Sequence, residues 1–396
     1  MKLPYSKAFR CKDGDYMETY MIGFSVSRNG LTSEIKCPCD EEEIRHVQDE
    51  LDIPYDTDTR VTVIGVDSDI EQLSVLEGQK VDLDFLNLLG RLMDGMDCGE
   101  YEQFRIGLYH ECFSDLRDII NTTQSVGRYS IIDPNNLRES GIDHEINLRG
   151  GVPAAEIDKR DFAAVAQELI DSGECENTPY GLLHVNKEVP LADFFDGKHM
   201  PAYYDRAYKF ACFLNNDSGE EFVFLPCSNV ELLRAAKRLG SAFPYDLEVT
   251  IEDATLKNKE LMRLTNGADI NTLNSFAKIL DRFGEGDIEK FLAVIDYVDK
   301  YFGGVGDLRN VVRIGDNIHA FTFYPNAMGY EELGWTLLED QDVPEELYKY
   351  FNAEVYGEDF LGEQAGRFTE RGYVGINDYP RIKNCLRMTD GMGGME

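Results

Sequence analysis

The sequence predicts an α+β fold made of tandem duplicated modules. Each module has a small α/β N-terminal subdomain, a helical-bundle middle and a mixed α/β C-terminal part, and the expected whole is elongated. Three observations predict this. The chain has 396 residues, more than one hydrophobic core usually organises. Short apolar runs bounded by polar turns alternate with stretches of helical period. A long internal repeat runs through both halves.

The repeat is read from collinear matches. Leu86-Asn87-Leu88-Leu89-Gly90-Arg91-Leu92-Met93-Asp94 resembles Leu273-Asn274-Ser275-Phe276-Ala277-Lys278-Ile279-Leu280-Asp281, offset by 187. Tyr101-Glu102-Gln103-Phe104 matches Ile288-Glu289-Lys290-Phe291 at the same offset. Pro38-Cys39 pairs with Pro226-Cys227, and Asp115 to Ile120 pairs with Asp307 to Val312. The expected organisation is therefore a module over 1–187, a linker over 188–205, a second module over 206–377 and a frayed tail over 378–396.

Each module opens with two apolar strands, Tyr20 to Val26 with Leu31 to Lys36, and Phe210 to Leu214 with Glu221 to Leu225. The polar turns between them, Arg28-Asn29-Gly30 and Asn216-Asp217-Ser218-Gly219, suit hairpins. A capped helix follows (Asp40 to Leu51; Ser228 to Leu239), then a third strand (Arg60 to Val66; Leu247 to Ile251). In the helical middle, Leu83, Leu86, Leu89, Leu92 and Met93 share a face, as do Leu273, Phe276, Ala277 and Leu280. Helices near Glu100–Tyr109, Asp287–Lys300, Ser114–Asn121 and Asp307–Val312 complete the bundles. Strands then follow at Arg128–Ile132 and Ile318–Tyr324. The second module ends with helices near Gly329–Glu339, Glu345–Phe351 and Glu354–Gly362 and a strand through Gly372-Tyr373-Val374. The first module has a weaker counterpart: Asp161 to Ile170 is helical in pattern, and Thr178 to Leu183 parallels Thr369 to Val374.

Charge narrows the function. The chain carries 74 Asp plus Glu against 39 Lys plus Arg, a formal net charge of −35. Self-repulsion on this scale opposes compaction, so it serves solubility, steering or the display of a field. A nucleic-acid reader shows a basic patch instead, so direct nucleic-acid binding is not expected. With 22 Phe and 21 Tyr, the chain also departs from the aromatic-poor composition of acidic disordered tails. Nine cysteines, odd in number and irregular in spacing, read as reduced cytoplasmic thiols. The N-terminus lacks an apolar signal core and no run approaches 18 apolar residues, so neither export nor a membrane is expected.

The usual catalytic signatures are missing. Gly303-Gly304-Val305-Gly306 lacks the later glycine of a dinucleotide fingerprint and the lysine of a phosphate loop. Asp56-Thr57-Asp58 and Asp67-Ser68-Asp69-Ile70-Glu71 lack the glycine and glutamate of a calcium loop. His110-Glu111-Cys112 places potential ligands on adjacent helical positions, which do not share a face. Among so many carboxylates, any pair could be called an acid–base dyad, so none is singled out. No catalytic residue, metal site or cofactor is expected.

From Gly329 onward several short motifs occur in order: Tyr330 to Glu339, Val343-Pro344-Glu345-Glu346-Leu347, Phe351 to Phe360, and Gly366-Arg367-Phe368-Thr369-Glu370-Arg371-Gly372-Tyr373-Val374. This series resembles the end of the ArdA antirestriction family. Leu225-Pro226, Glu252-Asp253 and Leu273-Asn274 fit the family's earlier parts, so the resemblance covers about Tyr208 to Asn377. Glu358 stands where the family has Arg, and the first half lacks the Tyr-Gly-x-Asp step.

The resemblance implies mimicry of double-stranded DNA directed at the DNA-binding groove of Type I restriction-modification enzymes. It implies no bond chemistry. Charge supports the same reading independently. Duplex DNA carries a charge per roughly 1.7 Å of axis, so 35 charges correspond to about 60 Å of duplex. Carboxylates three or four residues apart on a helix lie about 5–6 Å from each other, a workable phosphate row. From Cys37 to Glu102 there are 19 acidic and four basic residues, and between Arg313 and Lys349 there is no Lys or Arg. The candidate mimic surface is Glu41, Glu42, Asp94, Asp97, Glu100, Asp281, Glu285, Asp287, Glu331, Glu332, Glu339, Asp340, Asp342, Glu345 and Glu346. By the same resemblance Gly329 to Glu339 is the antirestriction motif. Its Trp335, Leu337 and Leu338 are candidate anchors of a subunit interface or members of the module's own core, and a homodimer stays open. Rival readings are a mimic aimed at another DNA-handling defence enzyme, a carboxylate hydrolase, and an adaptor acidic only for solubility.

Overall fold

The computed structural model describes residues 20–256, 258–302, 305–339, 341, 343–363, 366–378 and 380–382. It is α+β, with helices around four small antiparallel sheets. The chain divides into two compact units. The first takes the described residues up to Arg206 together with Ser218–Glu221 and Ser228–Ala242. The second takes Ala207–Asp217, Phe222–Cys227 and the residues from Phe243 onward.

The first unit opens with β1 (Ile22–Arg28) and β2 (Leu31–Cys37), then α1 (Glu41–Glu50), β3 (Arg60–Asp67) and β4 (Lys80–Asp82). Their sheet has the order β2-β1-β3-β4. Alternation sets its buried face. Ile22, Phe24 and Val26 of β1 point inward with Ile35 and Cys37 of β2 and Val61 and Val63 of β3. The register Ile22↔Cys37 to Arg28↔Leu31 closes on the left-handed Asn29-Gly30 turn.

Next come α2 (Leu83–Asp94), α3 (Cys98–Glu111) and α4 (Leu116–Thr123). Leu83, Leu86, Leu89 and Met93 of α2 are fully buried in the same core. Each such side chain contributes about 2 kcal/mol through lost apolar exposure. Side-chain caps start these helices: Asp40 and Asp97 form capping boxes with Glu43 and Glu100, and Asp82 and Asp115 cap α2 and α4. Asn87 of α2 clamps the chain after β2. Its Oδ1 accepts from the Cys39 N–H at 2.8 Å and its Nδ2 donates to the Cys39 carbonyl at 3.0 Å.

The unit continues with β5 (Tyr129–Ile132), α5 (Leu137–Arg149), α6 (Ala154–Ile157), α7 (Phe162–Asp171), β6 (Cys175–Thr178) and β7 (Gly181–Val185), the strands in the order β5-β7-β6. The stretch Thr178 to Leu183, expected to parallel Thr369 to Val374, is like it a tight hairpin. The chain reverses at Pro179-Tyr180, and Gly181 takes φ 132°, which favours glycine. Helix α5 was not expected. It packs on α7 so closely that a Cβ on Gly141 would meet the Phe162 carbonyl oxygen at 1.9 Å.

The segment expected as a linker has no regular element, yet it is packed. Phe195 is buried edge-on against Phe85, ring centroids 4.7 Å apart. Asn121 accepts from the N–H groups of Phe194 and Phe195 and donates to the Phe195 carbonyl.

The remaining strands and helices are β8 (Phe210–Asn216), β9 (Gly219–Leu225), α8 (Asn229–Arg238), β10 (Glu248–Ala254), α9 (Lys259–Leu264), α10 (Ile270–Arg282), α11 (Glu285–Tyr301), α12 (Leu308–Asp316), β11 (Phe321–Pro325), α13 (Tyr330–Glu339), α14 (Ala353–Glu363), β12 (Arg367–Thr369) and β13 (Gly372–Ile376). Of these, α8 lies within the first unit. The strand orders are β10-β8-β9 and β11-β13-β12. In the second unit Phe210 stacks on Phe276, and Phe291 lies tilted against Phe276 in the core. Asn274 of α10 clamps the N–H and carbonyl of Cys227, both at 3.0 Å. Helices α13 and α14 cross at two glycines: a Cβ on Gly334 would meet the Ala353 carbonyl oxygen at 1.8 Å, and one on Gly357 the Tyr330 carbonyl oxygen at 2.0 Å. Two expectations change. Ile318–Ala320 is a 3-10 turn, so the strand begins at Phe321. The helix expected over Glu345–Phe351 is a six-residue 3-10 turn, Glu345–Tyr350, opened by Pro344.

Candidate partner-binding surface

The acidic candidates fall into groups set by helix ends. Glu42 is exposed in the first turn of α1. Asp94, Asp97 and Glu100 stand at the corner between α2 and α3, all exposed. Asp281, Glu285 and Asp287 stand at the corner between α10 and α11, also exposed. Both corners are held by capping. Asp97 Oδ1 accepts from the Glu100 N–H and Glu100 Oε2 from the Asp97 N–H, each at 2.9 Å. Asp287 Oδ2 accepts from the Gly284 N–H at 3.1 Å. The N-termini of α3 and α11 favour Asp97, Glu100, Glu285 and Asp287 electrostatically, and the cap hydrogen bonds order Asp97, Glu100 and Asp287; Asp94 and Asp281 stand at the opposite, C-terminal ends of α2 and α10. Lys209 reaches the second corner, its ammonium 3.5 Å from Asp281, and Arg282 at the end of α10 pairs with Asp316 at 2.9 Å.

Glu331, Glu332 and Glu339 are exposed on α13. Glu345 and Glu346 begin the 3-10 turn that follows, with Glu346 exposed. Asp340 and Asp342 lie outside the described residues. Two interface candidates turn inward. Leu337 and Leu338 are buried, Leu337 in the same cluster as Leu333 and Tyr373. Trp335 is half-buried against Tyr348 and Phe351. The helical spacing from Leu333 to Leu337 accounts for this, because residues four apart share the core face.

Glu41 also departs from expectation. It belongs to a buried ionic cluster, and it accepts hydrogen bonds from Arg234 Nη1 and Nη2 and from Ser228 Oγ. The Arg234 side chain is 1% exposed, and its Nε and Nη2 donate to Asp84 at 2.9 and 3.1 Å. One turn on, Arg238 donates to Asp84 at 2.6 Å and Glu221 at 2.7 Å, with Asp82 3.7 Å away. Two guanidiniums thus serve four carboxylates. Burial alone would raise Asp84, but Arg234 and Arg238 outweigh it and hold this carboxyl well below the usual range. Burial pushes Asp82 and Glu221 up, and Arg238 only partly offsets it. The cluster was missed in the sequence, although Arg234 and Arg238 at helical spacing in so acidic a chain were a visible signal.

The other ligand-type residues have structural partners. His110 pairs with Glu176 at 2.9 Å, Glu111 accepts from the Tyr129 hydroxyl, and Cys112 ends α3 in a left-handed conformation. Among the described residues, no group of three or more His, Cys, Asp or Glu is arranged to hold a metal ion. None of the seven described cysteines is in a disulfide. Among the described residues, no helix is long and apolar enough to cross a membrane.

Comparison with known proteins adds one finding. Residues 210–375 match the family of the antirestriction protein (ArdA). No curated protein matches the chain.

Proposed function

We propose, from the match of residues 210–375 to the ArdA antirestriction family, that this protein is an antirestriction protein. Its ordered carboxylates stand in for the phosphates of duplex DNA, and it occupies the DNA-binding groove of Type I restriction-modification enzymes. The observation that carries the mimicry is the pair of capped corners. Asp94, Asp97 and Glu100 on one, and Asp281, Glu285 and Asp287 on the other, are exposed at helix ends. A groove built to bind phosphates meets fixed negative charges there at little ordering cost. The protein acts by occupancy in the cytoplasm and transforms no substrate.

Residues 1–187 are read as a second module of the same kind. The strand orders β5-β7-β6 and β11-β13-β12 agree. Asn87 and Asn274 make the same clamp on Cys39 and Cys227. Gly141 and Gly334 make the same helix crossing. Thr178 and Thr369 each donate to the carbonyl three residues on, at 2.8 Å.

The test is a titration of DNA cleavage by a Type I enzyme at several salt concentrations. Competitive inhibition that weakens steeply with salt is expected, because carboxylates that replace phosphates engage the same cations. Full cleavage at low salt and saturating protein refutes the assignment.

A further inference from the structure

One exposed feature recurs in both halves and has no role in either core. The tripeptide Pro54-Tyr55-Asp56 follows α1, and Pro244-Tyr245-Asp246 follows α8. Tyr55 is 38% exposed and Tyr245 53%. The aspartate that follows each is exposed as well. Folding accounts for the turns, since Pro244 opens a 3-10 turn, but it does not account for a large ring facing water at the same place twice.

Both rings are held. The Tyr55 hydroxyl donates to Asp49 Oδ1 at 2.7 Å. Tyr245 lies parallel to Phe243, 50% exposed, with centroids 5.1 Å apart and planes 8° from parallel. An ordered ring loses little freedom when a partner covers it. From Asp52 to Thr59 and from Gly240 to Val249 the chain contains no Lys or Arg, while each loop carries carboxylates. The complementary group is therefore a planar cation. An arginine stacks on an aromatic face and forks to the carboxylate beside it, which a lysine does less well.

We propose that these two loops are aromatic docking points for arginine side chains in the DNA-binding groove of the partner enzyme. The rings add contact that pure charge mimicry lacks. The proposal rests on the reading of the protein as an inhibitor of that groove and names further residues that bind it.

The test uses the full chain in the cleavage titration at three salt concentrations. The Tyr55→Ala, Tyr245→Ala double variant is expected to need about tenfold more protein for half-inhibition, and Tyr245→Ala alone about threefold. The salt dependence of both stays that of the parent, because no carboxylate is lost. The Tyr245→Phe variant stays within twofold, because the face and its stacking on Phe243 remain. Thermal unfolding of each variant, followed by circular dichroism, is expected to match the parent, and the single variant preserves the test if the double one misfolds. Parent-like inhibition by folded alanine variants overturns the proposal alone, as does a loss in the phenylalanine variant equal to that in Tyr245→Ala. Absence of inhibition by the parent chain overturns the groove reading and this proposal with it.

Discussion

Replacing Arg238 by Met keeps the apolar stem and removes the cation from a site where three carboxylates depend on it. Among the described residues Glu221, whose side chain is 0% exposed, would keep the Met200 N–H at 2.9 Å. Asp82 would keep Thr59 and the Asp84 N–H. Asp84 would keep Arg234. Breaking a buried ion pair from one side costs about 3–5 kcal/mol, and the upper part of that range applies because Glu221 has no route to water. Arg234→Met is milder. Asp84 retains Arg238, and the Glu41 side chain, 23% exposed, has access to water, so about 3 kcal/mol is expected. Urea unfolding followed by far-ultraviolet circular dichroism reads the difference. With a slope of about 3 kcal/mol per M, a loss of ~4 kcal/mol lowers the midpoint by roughly 1.3 M. Glu221→Gln in the Arg238→Met background recovers part of the loss, since it removes the stranded charge. The reasoning fails if Arg234→Met costs as much as Arg238→Met, or if Glu221→Gln worsens the Arg238→Met variant.

Other outcomes follow from other contacts. Gly334→Ala drives a methyl into the Ala353 carbonyl and is expected to cost about 3 kcal/mol, read as a lower unfolding midpoint in the fluorescence of the only tryptophan, Trp335. His144 and His184 are T-shaped neighbours, and burial lowers both below their ordinary 6.5. Their stability is therefore present above pH 6.5 and is lost as pH falls through the depressed folded values. The unfolding midpoint should drop between pH 7.5 and 5.5, and His144→Leu should flatten that drop. Asp94→Asn with Asp281→Asn should leave the unfolding midpoint unchanged, weaken inhibition of DNA cleavage and reduce its salt dependence.

Local rules made much of the fold legible. Alternation in Ile22-Gly23-Phe24-Ser25-Val26 placed β1 and its buried face. The leucines of α2 gave its core side, and α3 was expected near Glu100–Tyr109, two residues short at each end of the observed Cys98–Glu111. Helix α5 escaped because it mixes charges, Gly141 and His144 without a clear apolar stripe, and it is settled by the close crossing with α7. The 3-10 turn after Pro344 was read as a full helix because composition alone does not distinguish the two. The candidate carboxylates were legible as local acidic excess, and most of them are exposed. The burial of Glu41 in an ionic cluster was not legible, because its partner Arg234 is 193 residues away and no local pattern announces such a pairing.

The membership of α8 in the first unit has a consequence for synthesis. When the ribosome has made the chain as far as Arg206, the pocket of Glu41, Asp82 and Asp84 lacks both of its guanidiniums. They emerge roughly thirty residues later, about 2–6 s at the usual elongation rate. Until then the nascent half carries an open acid-lined seat, and a fragment that stops at Arg206 never receives the helix that fills it.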